Sequence, residues 1–263
     1  MSTTTNAHRG LRWDAVGTLV VREWWCFRRV WLAPTFGSVF EPVLYLIAFG
    51  YGFGALVSEV GGIPYLDFMA TGAAAISVLF TAMGAALING FYRRTSTHLY
   101  DGLLSTPIDV REVVTGEATW IAARAAAVAT VTLVVAVAFG VRVDATAVLV
   151  PVIGYVGGFG FACLFAAFAT RLRSAHQFPF VVSGVFLPIF LVSWTFFPLD
   201  DAPAWLRWPS LVNPLTHLVA LFRAATFGLA ATDEIVVSAA VIVVFAALSW
   251  MLAVRWLREV LIV

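Results

Sequence analysis

Charged side chains inside long apolar runs are the positions of this sequence best placed to do chemistry, because a charge at membrane depth needs a partner or water. Glu41 stands in the first such run, and Glu117 and Arg124 stand seven residues apart in the third. Two helical turns set Glu117 and Arg124 on one face, yet about 10 Å apart along the axis. That is too far for a simple direct pair, so each is expected to have another partner. The pattern fits a structural ionic network between helices, with a direct part in a transport cycle as the competing reading. No succession of acids points to proton coupling.

Several chemistries are excluded. All sixteen basic side chains are arginines, and a phosphate-cradling GxxxxGK[ST] loop needs its lysine, so the chain carries neither that nucleotide site nor a Schiff-base lysine. If ATP drives this protein, another chain binds it. No HExxH pair or cysteine-rich cluster supports a metal site. His8, His98, His176 and His217 are scattered among separate segments and read as isolated polar contacts. Ser77, Ser183 and Ser193 lie in apolar blocks without GxSxG or a paired base, which fits helix packing rather than proteolysis. Gly154, Gly157, Gly158 and Gly160 read in the same way, as close helix approaches.

These groups must be positioned by a membrane-embedded helical bundle. Hydrophobic residues make up 61% of the chain and charged residues 12%, against about 45–50% and 25% in soluble domains. The apolar residues come in blocks of about twenty. A net charge of +1 without a long basic run gives no electrostatic footprint for nucleic acid. The blocks predict an all-α integral membrane protein with six spans, at residues 36–57, 68–91, 113–141, 147–169, 178–197 and 235–254. A seventh stretch, 211–228, holds Pro214, His217 and Arg223. An arginine at mid-bilayer costs about 2.5–3.5 kcal/mol on insertion scales, so this stretch is expected to be a re-entrant or interfacial helix.

With the N-terminus inside, six spans place Arg9, Arg12, Arg22, Arg28, Arg29, Arg93, Arg94, Arg111, Arg171, Arg173, Arg255 and Arg258 in the cytoplasm. Only Arg142, Arg207 and Arg223 fall opposite, as the excess of cytoplasmic basic residues requires. Both termini are therefore expected on the cytoplasmic side. Arg22, Glu23, Arg28 and Arg29 break up the leading segment, which does not read as a signal peptide.

Residues 11–31 carry Trp13, Val16, Val20, Trp24, Phe27 and Trp31 at helical spacing, which predicts an amphipathic helix in the cytoplasmic headgroup layer. It reads as a membrane-surface anchor and, compatibly, as the border of a cytoplasmic partner. Two segments between spans bear polar residues. Residues 93–108 are expected in the cytoplasm, with a short helix ending at Thr106-Pro107. Residues 198–234 are expected outside, dipping back toward the bilayer, with four prolines that keep any helices short. Arg93 and Arg94 are expected at the bilayer boundary as phospholipid anchors. Leu99, Leu103 and Leu104 are candidates to enter a groove on a partner, or else to cover the end of the bundle.

Three motifs, in order, carry a family resemblance. The run Pro64-Tyr65-Leu66-Asp67-Phe68-Met69-Ala70-Thr71-Gly72 resembles type-2 ABC exporter permeases, in the branch of nodulation-factor and antibiotic export permeases. Arg93-Arg94, then Leu103-Leu104-Ser105-Thr106-Pro107-Ile108 and Gly116-Glu117, is similar to that family's cytoplasmic turn between spans two and three. Asn213-Pro214-Leu215-Thr216-His217, followed by Leu221-Phe222-Arg223, is similar to its signature before the last span. The family often has proline where Thr71 stands and a glycine within the segment occupied by residues 96–100.

The resemblance covers nearly the whole chain. It implies one permease subunit of a homodimer in the plasma membrane, served by two copies of a separate cytoplasmic ABC ATPase. That ATPase would bind ATP and magnesium, while this chain binds no cofactor. The turn with Arg93, Arg94, Leu99, Leu103, Leu104 and Pro107 would couple the two, and the cargo would be amphipathic or lipid-like. The competing class is a secondary transporter or channel independent of ATP, which would more readily explain a polar pathway at mid-membrane.

Overall fold

A computed structural model describes residues 10–52, 62–97, 99–193, 204–228 and 232–261, with positions 54, 57, 59, 60 and 195. His98, Asp200 and Asp201 lie outside the described residues, as do the side chains of Glu41 and Leu104. The chain is mostly helical. Helix α1 (Trp13–Val30) leads into α2 (Leu32–Tyr45), which continues as a π turn over Leu46–Tyr51. A two-residue hairpin departs from the all-α expectation: β1 (Glu59–Val60) pairs antiparallel with β2 (Ile63–Pro64), with Gly62 at a positive φ of 78° in its turn. There follow α3 (Tyr65–Thr95), α4 (Leu99–Leu104), α5 (Val110–Ala138), α6 (Ala145–Arg171), α7 (Ala175–Leu191), α8 (Ala204–Val212), α9 (Pro214–Phe227) and α10 (Thr232–Leu261).

Among the described residues, four helices are long and apolar enough to cross a membrane: α3, α5, α6 and α10, of 27 to 31 residues. At 1.5 Å per residue they measure about 40–46 Å, more than the ~30 Å hydrocarbon core. They lie on four of the six expected blocks. The third block runs past its helix: α5 stops at Ala138, and Gly140 turns the chain with φ 102°. Block 36–57 falls on α2 and its π turn, and the described part of 178–197 falls mainly on α7, a shorter apolar helix.

Helix α3 is central. Met69, Ala70, Ala73, Ala74, Ala75, Ile76, Val78 and Leu79 have no exposed surface, because the small residues Ala70, Gly72, Ala73, Ala74 and Ala75 let other helices close in. Helix α6 packs through its glycines: a Cβ at Gly157 would lie 2.8 Å from Leu218 of α9, and one at Gly160 2.7 Å from the Phe245 ring of α10. By contrast, α10 leaves Val236, Val237, Val243, Val244 and Leu248 more than half exposed, as a lipid-facing helix does.

The 211–228 stretch breaks at Asn213. The Asn213 side chain accepts the Leu215 N–H at 3.0 Å, Pro214 occupies the first turn, and left-handed Gly228 ends α9. Leu215, Leu218, Val219 and Phe222 of α9 are buried, which makes it part of the core rather than a surface helix.

The ends of the bundle differ in charge. At one end, the start of α5 meets the last turns of α3, α6 and α10: Arg258 lies 3.3 Å from Asp109, and Arg171 lies 2.5 Å from Glu259. At the other, the Asp144 N–H donates to the Thr226 carbonyl at 2.8 Å and the Thr146 hydroxyl to that of Ala225 at 2.7 Å.

Candidate functional site

At the arginine-rich end, four elements converge on one ionic joint. Arg93, in the last turn of α3, places its guanidinium between two carboxylates: Nη2 donates to Glu23 of α1 at 2.6 Å and Nη1 to Glu117 of α5 at 2.9 Å. The Tyr100 hydroxyl of α4 donates to the other Glu117 oxygen at 2.8 Å. Arg22 adds a second cation, 2.5 Å from Glu23 and 3.6 Å from Glu117. Glu23 is only 4% exposed and Tyr100 6%, so the charges face each other in a region where unpaired ionisation is costly. Burial first, and then the neighbouring Glu117 carboxylate, push the Tyr100 phenol well above its ordinary value and hold it as a donor.

Local sequence explains why these groups meet. Asp109 caps α5 by accepting the Arg111 N–H at 3.0 Å, and Glu112 answers by accepting the Asp109 N–H at 3.0 Å, a capping box that fixes where α5 begins. The other Glu112 oxygen accepts the Arg12 N–H at 3.1 Å, which ties the start of α1 to the start of α5. Gly116 then lets α1 approach, since a Cβ there would sit 2.7 Å from Leu19. One turn beyond Leu19 comes Glu23, on the same buried row as Val16.

Arg94 faces the other way. It donates to the Thr170 carbonyl at 2.6 Å and to that of Leu172, capping the C-terminus of α6. A cavity of about 20 Å³ bordered by Arg94, Tyr100 and Glu117 has room for one water.

The expected phospholipid anchors, Arg93 and Arg94, are thus engaged by protein acceptors. Glu117 and Arg124 do not pair; the Arg124 guanidinium lies over the Phe27 ring, 4.9 Å from its centroid. Leu103 packs against the core and Leu99 is half-buried, while Gly102, Ser105, Thr106 and Pro107 are exposed. The expected α1 stripe is divided: Val16 packs inward and the Phe27 ring meets that of Trp120 on α5, 5.5 Å between centroids, while its tryptophans stay largely exposed. Trp13, Trp24 and Trp31 are 72%, 49% and 51% exposed, whereas Ala15, Val16, Leu19 and Glu23 are buried.

At the opposite end, His217 bridges the Ser238 hydroxyl at 3.1 Å and the Leu211 carbonyl at 2.9 Å. Asn213 donates to the Ile189 carbonyl at 2.7 Å, and Arg223 lies over Phe68 at 3.8 Å. These residues hold α8 and α9 to α3, α7 and α10. Among the described residues, no cluster of three metal-binding side chains occurs.

Sequence reasoning missed Glu23 and Tyr100. The signal for Glu23 was its place four residues beyond Leu19, on a row that the tryptophans obscured. For Tyr100 no local signal existed, because its partner is seventeen residues away.

Comparison with known proteins fits this architecture. Residues 14–227 match the ABC-2 type transporter family. The chain is 30% identical to Nodulation protein J of Sinorhizobium fredii over 78% of each chain. It is 30% identical to Nodulation protein J of Rhizobium leguminosarum bv. trifolii over 83% of this chain and 82% of the relative. It is 24% identical to the inner membrane transport permease YadH of Escherichia coli over 83% of this chain and 85% of the relative. With a match across most of its length and an apolar helical bundle to carry it, this chain belongs to the ABC-2 type transporter family, as a multi-pass transmembrane subunit of an ABC transporter.

Proposed function

We propose that this chain is the permease of an ATP-driven exporter that moves an amphipathic or lipid-like molecule out of the cytoplasm. Two copies would work with two copies of a separate cytoplasmic ATPase, which holds ATP and magnesium. The observation that carries the reading is the joint at Arg93. Through Tyr100 it fastens the short α4 turn to Glu117 of α5, and through Glu23 to α1, while leaving Gly102, Ser105, Thr106 and Pro107 free to meet a partner. A turn braced in this way transmits force into three helices instead of flexing under it.

The missing lysine supports a separate ATPase, since this chain has no means to build a phosphate-binding loop. The arginine-rich end supports the orientation, with that end and both termini in the cytoplasm. In this reading α2 and α7 complete six spans, and α8 and α9 form the external re-entrant pair. The largely apolar spans suit a lipid-like cargo better than an inorganic ion.

Two measurements test the proposal. A photo-crosslinker at Thr106 should capture the ATPase in membranes, and a Ser105→Cys variant should label from the cytoplasm while Arg142→Cys labels from outside. Labelling of Ser105→Cys from outside, or a Thr106 crosslinker that never reaches the ATPase, would rule out residues 93–108 as the coupling turn.

A further inference from the structure

A second site lies one to two turns along α5 from the ionic joint. Between α1, α2 and α5 runs an open groove of about 450 Å³, walled by Trp24, Phe27, Trp31 and Trp120 and floored by Ala127 and Val131. Its lining is apolar except for Thr35 and one charge, Arg124. The Arg124 guanidinium reaches back toward α1 and rests over Phe27, as a long cationic side chain does when it snorkels toward a headgroup layer. Among the described residues it has no hydrogen-bond or ion-pair partner, in contrast to Arg93 and Arg94, whose Nη1 and Nη2 groups donate to protein acceptors.

We propose that this groove binds one anionic phospholipid, its phosphate on Arg124 and an acyl chain along Ala127 and Val131. Three observations select that occupant. A cation at membrane depth calls for an anion, and guanidinium matches phosphate oxygens in a bidentate manner. The tryptophans of α1, exposed on the protein, suit the level where headgroups meet acyl chains. The groove is open along one side, which admits a molecule diffusing in the leaflet. A bound lipid would also bridge α1 and α5, the two helices that Glu23 and Glu117 contribute to the joint. The inference needs only the membrane location of the chain, so it stands or falls separately from export.

Native mass spectrometry of the purified full chain, exchanged against phosphatidylglycerol and phosphatidylcholine, tests it. Wild type should retain phosphatidylglycerol about tenfold better, because the choline cation of phosphatidylcholine offsets the phosphate charge that Arg124 meets. Arg124→Gln should lose that preference and Arg124→Lys should keep part of it. Ala127→Trp fills the groove from an exposed position and should shed both lipids, a check that does not depend on the arginine variants folding. Equal retention of the two lipids by wild type would overturn the proposal, as would a preference that survives both Arg124→Gln and Ala127→Trp. Displacement of the lipid by inorganic phosphate would make the site one for free anion. Loss of dimers in Ala127→Trp with lipid retention unchanged would give the groove to a second copy; either result refutes the lipid site.

Discussion

Replacing Glu23 by glutamine keeps the shape of the side chain and removes one of the two charges that face Arg93. The Glu23 carboxylate is 2.6 Å from Arg93 and almost wholly buried. Two unit charges about 4 Å apart attract by about 4 kcal/mol at an effective dielectric constant near 20. Arg93 is a quarter exposed and keeps Glu117 at 2.9 Å, so the net loss falls to about 2 kcal/mol. For a chain of this size that lowers the thermal midpoint by about 4–8 °C. Arg93→Gln costs more, about 3 kcal/mol, because Glu23 and Glu117 are then left facing each other with only Arg22 between them. The double variant Glu23→Gln/Arg93→Gln should be more stable than the sum of the single losses predicts, by about 1–2 kcal/mol. Thermal unfolding in detergent, followed by loss of monodisperse elution, measures all four proteins. Additivity within about 0.5 kcal/mol would mean that the two groups do not interact, and the joint would not exist as drawn.

Other predictions follow from the same end of the bundle. The buried phenol of Tyr100 favours its neutral form, so its contribution is present in full below the ordinary phenol value and lost as pH rises through the higher folded value. Absorbance at 295 nm should show a late-titrating tyrosine that Tyr100→Phe removes. Arg94→Met strips two carbonyl caps from α6 and should cost about 1–3 kcal/mol, with faster amide exchange confined to the last turn of α6 before Leu172. Gly160→Leu forces a side chain against Phe245 and should cost about 1–3 kcal/mol in the same unfolding assay, with no change at the ionic joint.

The four long helices could be read from the sequence because each contains a predominantly apolar stretch long enough to span the bilayer, and the bilayer makes such a stretch helical whatever its neighbours do. The blocks 36–57 and 178–197 lie only partly on the described α2 and α7, which carry π turns at Leu46–Tyr51 and Val182–Phe186 that an apolar pattern does not record. The site was half legible. Arg93 and Glu117 stood out as charges near span ends, but their pairing joins residues 24 positions apart, and Glu23 lies 70 positions from Arg93. No periodicity records such contacts. The α1 tryptophans, expected at the membrane surface, do remain exposed on the protein, but the row Val16, Leu19 and Glu23 that faces the protein was not legible beside them, because aromatic residues dominate the apolar periodicity.

The most direct test of ATP-driven coupling is hydrolysis measured with and without the separate ATPase, in lipid, with Gly102→Trp as the control. A Cβ at Gly102 meets nothing within 4 Å, so tryptophan there obstructs a partner without disturbing the fold. This chain alone should show no hydrolysis, lipid-like cargo should stimulate hydrolysis when the ATPase is present, and Gly102→Trp should lose that stimulation at an unchanged thermal midpoint. Hydrolysis by the isolated chain, or full stimulation of the Gly102→Trp complex, would contradict this coupling.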